Sequence, residues 1–177
     1  MDEITLKNNI AFHLKSIRKK SGLSLDAVAK KTGVSKAMLG QIERGESSPS
    51  IAKLWQIASG LECSFSSFLG DEIFTDGISL SDVDEDMKVR TLSPFQADTH
   101  IEILEVTLFN QHQQVSKAHA KGVIEYITVI SGTLECFYDD CWHTLVAGET
   151  VRFNAHQDHI YRCDGVMTRF HNTIYYP

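Results

Sequence analysis

Long apolar runs are what this sequence most plainly lacks. Its apolar stretches, such as Tyr126 to Ile130, fall far short of the roughly 20 residues a helix needs to cross a bilayer. The opening MDEITLKNN also lacks the basic-then-apolar order of a secretory leader. A cytoplasmic protein without a membrane partner is therefore expected. Cysteine is sparse as well. Cys63, Cys136, Cys141 and Cys163 form no CxxC pair, which removes the sequence basis for a thioredoxin-like site or a zinc ribbon. Cys136 and Cys141 flank the turn pair Asp139-Asp140 and could approach across a hairpin, but reduced thiols suit the expected compartment better.

What remains is an ordinary globular composition. The 177 residues are 42% hydrophobic and 23% charged, enough for one large domain or two small ones. The formal net charge of -6 is unevenly placed. Residues 1–70 carry 10 Lys and Arg against 6 Asp and Glu, a net of +4; residues 71–177 carry 7 against 17, a net of -10. Binding to nucleic acid is driven by phosphate neutralisation, so only the first segment is suited to it.

Apolar spacing divides the chain at the same place. From Asn9 to Leu69 it is helical. Ile10, Leu14 and Ile17 form one stripe, ended by Ser21-Gly22. Ser24 caps a second helix through Leu25, Val28 and Ala29, which Thr32-Gly33 stops. Ser35 caps a third, with Leu39 and Ile42 inward and Arg44-Gly45 closing it. Ser50 opens a fourth that stops at Gly60, and Ser64 starts a fifth that ends at Leu69-Gly70. The stretch 71–87 holds seven acidic residues with scattered serines and reads as a solvated linker. Past Lys88 the period becomes two. Strands are expected at 101–109, 126–130, 133–138, 142–146, 150–153 and 168–175, punctuated by Gly132, Asp139-Asp140, Ala147-Gly148 and Asp164-Gly165. Short strands so closely spaced suggest a closed barrel or sandwich.

A helix held inward by Leu39 and Ile42 turns Lys36, Ala37, Gly40 and Gln41 outward, as insertion into a major groove requires. Gln41 suits a bidentate contact to adenine, Lys36 a guanine or phosphate, and Ala37 a thymine methyl. Gly40, a poor helix former, suggests a close backbone approach. Ser24, Ser35, Ser47 and Ser48 lie near helix ends, where phosphate contacts form. The stretch LSLDAVAKKTGVSKAMLGQIERGESSPS resembles the phage-repressor-like helix-turn-helix family (XRE, HTH_3). Ala29 stands where that motif's helices cross, Gly33 at its turn and Val34 at the interface. The resemblance further implies a pairing of Arg18 with Glu43.

HAKGVIEYITVISG and GETVRFNAHQDHIYRC resemble the two motifs of the cupin family. That resemblance implies a double-stranded β-helix, or jelly-roll, barrel with His119, Glu125 and His159 as metal ligands. Lys121 stands where a further histidine belongs, Asn154 replaces a proline, and Cys163 an asparagine. Two histidines and a carboxylate suffice for a divalent cation, zinc first, with positions left open. Lys121 instead opposes a metal, and suits an effector carboxylate or a pairing with Glu125. Tyr161 and Arg152 are further effector-contact candidates. The architecture expected is thus a five-helix all-α helix-turn-helix domain at 1–70, a linker at 71–87 and an all-β cupin barrel at 88–177.

This order resembles cupin-bearing bacterial regulators, and within them the sulfur-utilisation regulators. It implies a non-enzymatic transcriptional regulator of an operator on double-stranded DNA, tuned by a small-molecule effector such as an amino acid or sulfur compound. A homodimer is expected, with Trp142 and Tyr175-Tyr176 contributing to contact between barrels. The rival readings are an architectural DNA binder whose barrel only dimerises, and a metal-dependent cupin enzyme tethered to DNA.

Overall fold

The computed structural model of the chain describes residues 3–69 and 86–177. Most of the expected linker, 71–85, lies outside these, while Met87 already belongs to the first strand. Four α-helices come first: α1 (Glu3–Lys20), α2 (Leu25–Thr32), α3 (Lys36–Glu43) and α4 (Ile51–Leu61). Ser24, Ser35 and Ser50 cap the last three. Their hydroxyls accept from the backbone N–H groups of Ala27, Met38 and Lys53, and each such cap stabilises its helix by about 1 kcal/mol. Gly33 closes α2 in the left-handed region, at φ 69°. Leu14, Val28, Leu39, Ile42, Leu54 and Ile57 fill the space between the helices.

The structure corrects two expectations here. The fifth helix is a 3-10 turn, Phe65–Phe68, and the Ser64 hydroxyl meets Ser67 instead of capping it. Its anchors are Phe65 and Phe68, both buried. Nor does Gly60 end α4, which runs to Leu61 and is closed by Glu62 at φ 56°. Gly60 is where α4 crosses the end of α2: a Cβ there would lie 2.7 Å from the Thr32 Cα and 2.8 Å from the Lys31 carbonyl oxygen. Gly60→Ala is therefore expected to destabilise the protein by about 1–3 kcal/mol, although Ala is the better helix former by about 1 kcal/mol. A denaturation midpoint that rose would show that α2 yields at no cost.

The second unit is an antiparallel sheet of seven strands: β1 (Met87–Gln96), β2 (Ile101–Phe109), β3 (Gln113–Ser116), β4 (Ile124–Tyr138), β5 (Cys141–Val146), β6 (Thr150–Asn154) and β7 (His159–Tyr175). β1 and β3 were not foreseen. The expected break at Gly132 does not occur either, since 126–130 and 133–138 are halves of one strand. Gly132 sits at a register shift, at φ 82°, and the Met167 carbonyl comes so near that a Cβ would lie 2.4 Å from it. β7 likewise carries Asp164-Gly165 within its length. Each long strand thus serves two sets of neighbours. One half of β4 pairs with β6 and the end of β7; the other pairs with β5 and the start of β7. Alternate residues such as Leu104, Val106, Ile127, Val129 and Phe170 are buried.

The units touch directly. Glu102 of β2, fully buried, accepts from the backbone N–H of Ser66 at 2.6 Å and of Phe65 at 3.2 Å, both in the 3-10 turn. The Tyr176 hydroxyl donates to the same carboxylate at 2.9 Å, and the Phe95 N–H donates to the Ser66 hydroxyl.

Candidate metal centre and nucleic-acid interface

Three elements bring the metal-ligand candidates together. Glu125 projects inward from β4, His159 from the start of β7, and His119 from the connection between β3 and β4, where its N–H is fixed by the Ala155 carbonyl at 2.8 Å. The Nε2 atoms of His119 and His159 stand 3.1 and 3.3 Å from Glu125 Oε1. Their side chains are 6% and 1% exposed and that of Glu125 is 0% exposed, so water does not satisfy them. Despite these short separations none of the three atoms is aligned for a hydrogen bond. Three orphaned donor atoms, all within 4.8 Å of one another, suit a shared cation.

The surroundings fix the ligands for that role. The carbonyl of Gln157 lies 3.0 Å from His159 Nδ1, so Nδ1–H donates there and Nε2 is the ring atom turned toward Glu125. The other carboxylate oxygen of Glu125 accepts from the Tyr161 hydroxyl and, at 2.7 Å, from the Asn172 amide. Burial pushes the Glu125 carboxyl up, but His159 and His119 outweigh it and hold the group well below the usual carboxylate range. Burial and then Glu125 push the Tyr161 phenol well above its ordinary value, so it stays a donor. The Glu125 carboxylate is thus offset by the two imidazoles beside it, and a bound cation would take over that role as it displaces their protons.

At the opposite end of the chain, α3 leaves Lys36, Ala37 and Gln41 exposed, together with Ser35 before it. Arg18 and Glu43 form a bidentate pair at 2.5 and 2.8 Å, and Arg18 also bonds the Leu23 carbonyl, tying α1 to the end of α3. Ser24 and Ser35 spend only an acceptor pair on their caps and retain a hydroxyl proton. Ser47 and Ser48 are half-buried in the loop after α3.

Residues 14–68 match the helix-turn-helix family HTH_3, and residues 106–170 the cupin domain family Cupin_2. The HTH-type transcriptional regulator SutR of Escherichia coli K12 is 42% identical over 165 residues, 93% of each chain. An HTH_3 family transcriptional regulator from Vibrio cholerae is similar in structure as well, with a TM-score of 0.88 at 50% identity over 99% of both chains. The chain belongs to the helix-turn-helix transcriptional regulators that carry a cupin domain. The Cupin_2 domain of an XRE family regulator from Enterobacter cloacae is 34% identical, with a TM-score of 0.51, over 52% of this chain and 98% of that one.

Within this regulator the remaining sequence expectations divide. Gly40 does not face outward. It is buried beneath its own helix neighbour, since a Cβ there would lie 3.1 Å from the Arg44 guanidinium and 3.9 Å from Leu25. Arg44, expected only at the close of α3, caps it as expected, is exposed and pairs with Glu46 at 2.7 Å. Lys36 is paired with Asp26 at 2.8 Å, both exposed. Arg152 lies on the outer face of β6, opposite the buried Phe153, and does not line the interior. Lys121 is exposed in the turn before β4. Tyr161 is buried on Glu125, and Asn172, not foreseen, joins it there. All four cysteines are free: Cys136 is buried while Cys141 is exposed, and burial pushes the Cys136 and Cys63 thiols up to about 12. Tyr176 faces Glu102, whereas Trp142 remains exposed with Arg162 4.5 Å above its ring. No described helix is long and apolar enough to cross a membrane.

Proposed function

We propose that this regulator binds its operator as a homodimer through α3, and that a divalent metal held by His119, Glu125 and His159 forms part of a small-molecule sensor in the cupin domain. The observation that carries the sensor is the convergence of three buried, orphaned ligand atoms. Zinc is the first candidate, since two imidazoles and a carboxylate suit it and leave a position open. When bound, the metal supplies an electrophilic attachment point for an effector's thiolate, carboxylate or amine. Tyr161 and Asn172 orient Glu125, and Lys121 is the candidate contact for an anionic effector group. No catalytic role is assigned to these residues.

On the DNA side, Gln41 and Ala37 read base edges, Lys36 and Arg44 exchange their carboxylate partners for DNA, and Ser24, Ser35, Ser47 and Ser48 donate to phosphates. Two recognition helices about 34 Å apart match half-sites one turn apart. The effector works by favouring one arrangement of the helical units over another.

The test begins with selection of bound sequences from random duplexes, followed by fluorescence anisotropy on the selected site. Gln41→Ala is expected to weaken that site by about 5–150-fold, as loss of about 1–3 kcal/mol implies, and to relax preference at one base pair. Unchanged affinity and preference would remove Gln41 from the interface. Operator affinity that no metal, chelator or effector alters would leave an architectural binder instead.

A further inference from the structure

A cavity of about 290 Å³ lies at the seam between the helical unit and the barrel, apart from both the metal centre and α3. Glu62, Ser64 and Ser67 line it from the helical side, and Phe95, His100 and Tyr176 from the barrel side. Its volume lies just below the range of ligand pockets, about 300–1,000 Å³, which suits a small molecule.

Its chemistry is selective. The Phe95 and Tyr176 rings meet edge to face, with centroids 5.7 Å apart at 81°, and His100 lies 6.1 Å from Phe95. Neither Lys nor Arg lines the cavity. Glu62 stands at the rim, in a loose, exposed pairing with Lys31 at 3.6 Å. Behind Tyr176 lies Glu102, which is fully buried and held by the Phe65 and Ser66 N–H groups and the Tyr176 hydroxyl, neutral donors all. No described cationic side chain comes within ion-pair distance of it. An aromatic corner lined by neither Lys nor Arg, with a carboxylate at its rim and a buried carboxyl behind it, favours a cation over an anion.

We propose that the seam cavity binds a small organic cation, an ammonium on a short apolar body. The aromatic faces receive the cation, Ser64 and Ser67 offer hydroxyl acceptors, Glu62 supplies negative charge at the rim, and Glu102 holds the Tyr176 hydroxyl from behind. Because both units contribute walls, occupancy stabilises the arrangement in which they are closed on each other. The site is separate from the barrel's metal, so binding persists after chelation and stands or falls independently of the metal sensor.

The test is a titration of the full-length, ¹⁵N-labelled protein with tetramethylammonium, with tert-butanol as the neutral probe of similar shape and acetate as the anion. Tetramethylammonium is expected to shift the amides of Ser64, Ser67, Phe95 and His100 saturably, with tert-butanol roughly tenfold weaker and acetate without effect. Glu102→Gln, which keeps the side-chain volume, is expected to weaken binding several-fold, and Phe95→Leu, which keeps bulk without the ring, to abolish it. Equal midpoints for tetramethylammonium and tert-butanol would overturn the proposal. So would binding of acetate, the absence of any saturable shift, or undiminished binding in a folded Phe95→Leu protein.

Discussion

Purified protein is expected to carry close to one zinc per chain, and His119→Ala and His159→Ala are each expected to lose it. The physical reason is the small number of ligands. Three protein atoms converge on the site, so removing one leaves two and forfeits most of the affinity. The ligands are also pre-set: His159 cannot rotate without losing Gln157, and Glu125 is gripped by Tyr161 and Asn172. Asn172→Ala should therefore lower zinc affinity by about 10–100-fold while leaving all three ligands in place. Stability follows occupancy, because zinc at about 1,000 times its Kd adds about 4 kcal/mol to the folded state. Chelation should accordingly lower the melting temperature of the wild type and leave that of His159→Ala unmoved. Elemental analysis and thermal melts decide it. A wild type that holds no metal after incubation with zinc would sink the site, and Lys121 would become the lead effector contact in a metal-free pocket.

Legibility followed the range of the interactions. Capping is local, so Ser24, Ser35, Ser50 and Gly33 could be placed on their helix ends from sequence alone. What the family resemblance implied was nearly as good: His119, Glu125 and His159 do meet, and Arg18 does pair with Glu43. Failures came where a distant segment decided a local question. Gly60 reads as a helix stop because the sequence does not show α2 lying against it. Gly132 and Gly165 read as turns between strands, whereas β4 and β7 continue through them, paired with partners before and after each glycine. Gly40 was assigned to the groove as a poor helix former that suggested a close approach, but it is buried, with the Arg44 guanidinium 3.1 Å from where a Cβ would stand. Arg152 had the residue type for an anion but the parity of the outer face, which the buried Phe153 beside it already indicated. Asn172 carried no motif. Its signal was a polar residue in register with Phe170 and Ile174 on an inward face. Glu102 had the same signal, alternating with Leu104, Val106 and Leu108.

That glutamate carries the second large effect: Glu102→Ala is expected to uncouple the two units without unfolding either. Truncation leaves the Phe65 N–H, the Ser66 N–H and the Tyr176 hydroxyl without their acceptor in a buried seam. An orphaned buried donor costs about 1–3 kcal/mol, so three cost at least about 3 kcal/mol unless water enters. Either way the closed seam is disfavoured, and the single cooperative melt should separate into two transitions. Glu102→Gln should fall between, since an amide offers one oxygen but turns an NH₂ toward a donor. The two variants also differ from wild type in pH response. Burial raises the Glu102 carboxyl above its ordinary value of 4.5, and the bonds from Ser66, Tyr176 and Phe65 only partly pull it back. A group raised on folding contributes stability that is full below the ordinary value and is lost as pH rises through the folded one. The wild type should therefore lose this increment as pH rises from 4.5 toward the raised folded-state value, and Glu102→Gln should flatten that part of its stability profile. The functional consequence follows from the same geometry. If a signal in the barrel reaches α3 through the 3-10 turn that Glu102 holds, chelation should change operator affinity in the wild type and not in Glu102→Ala. A Glu102→Ala protein that melts as one unit and still responds to chelation would place the coupling elsewhere, with the contact of α4 on β3 next in line.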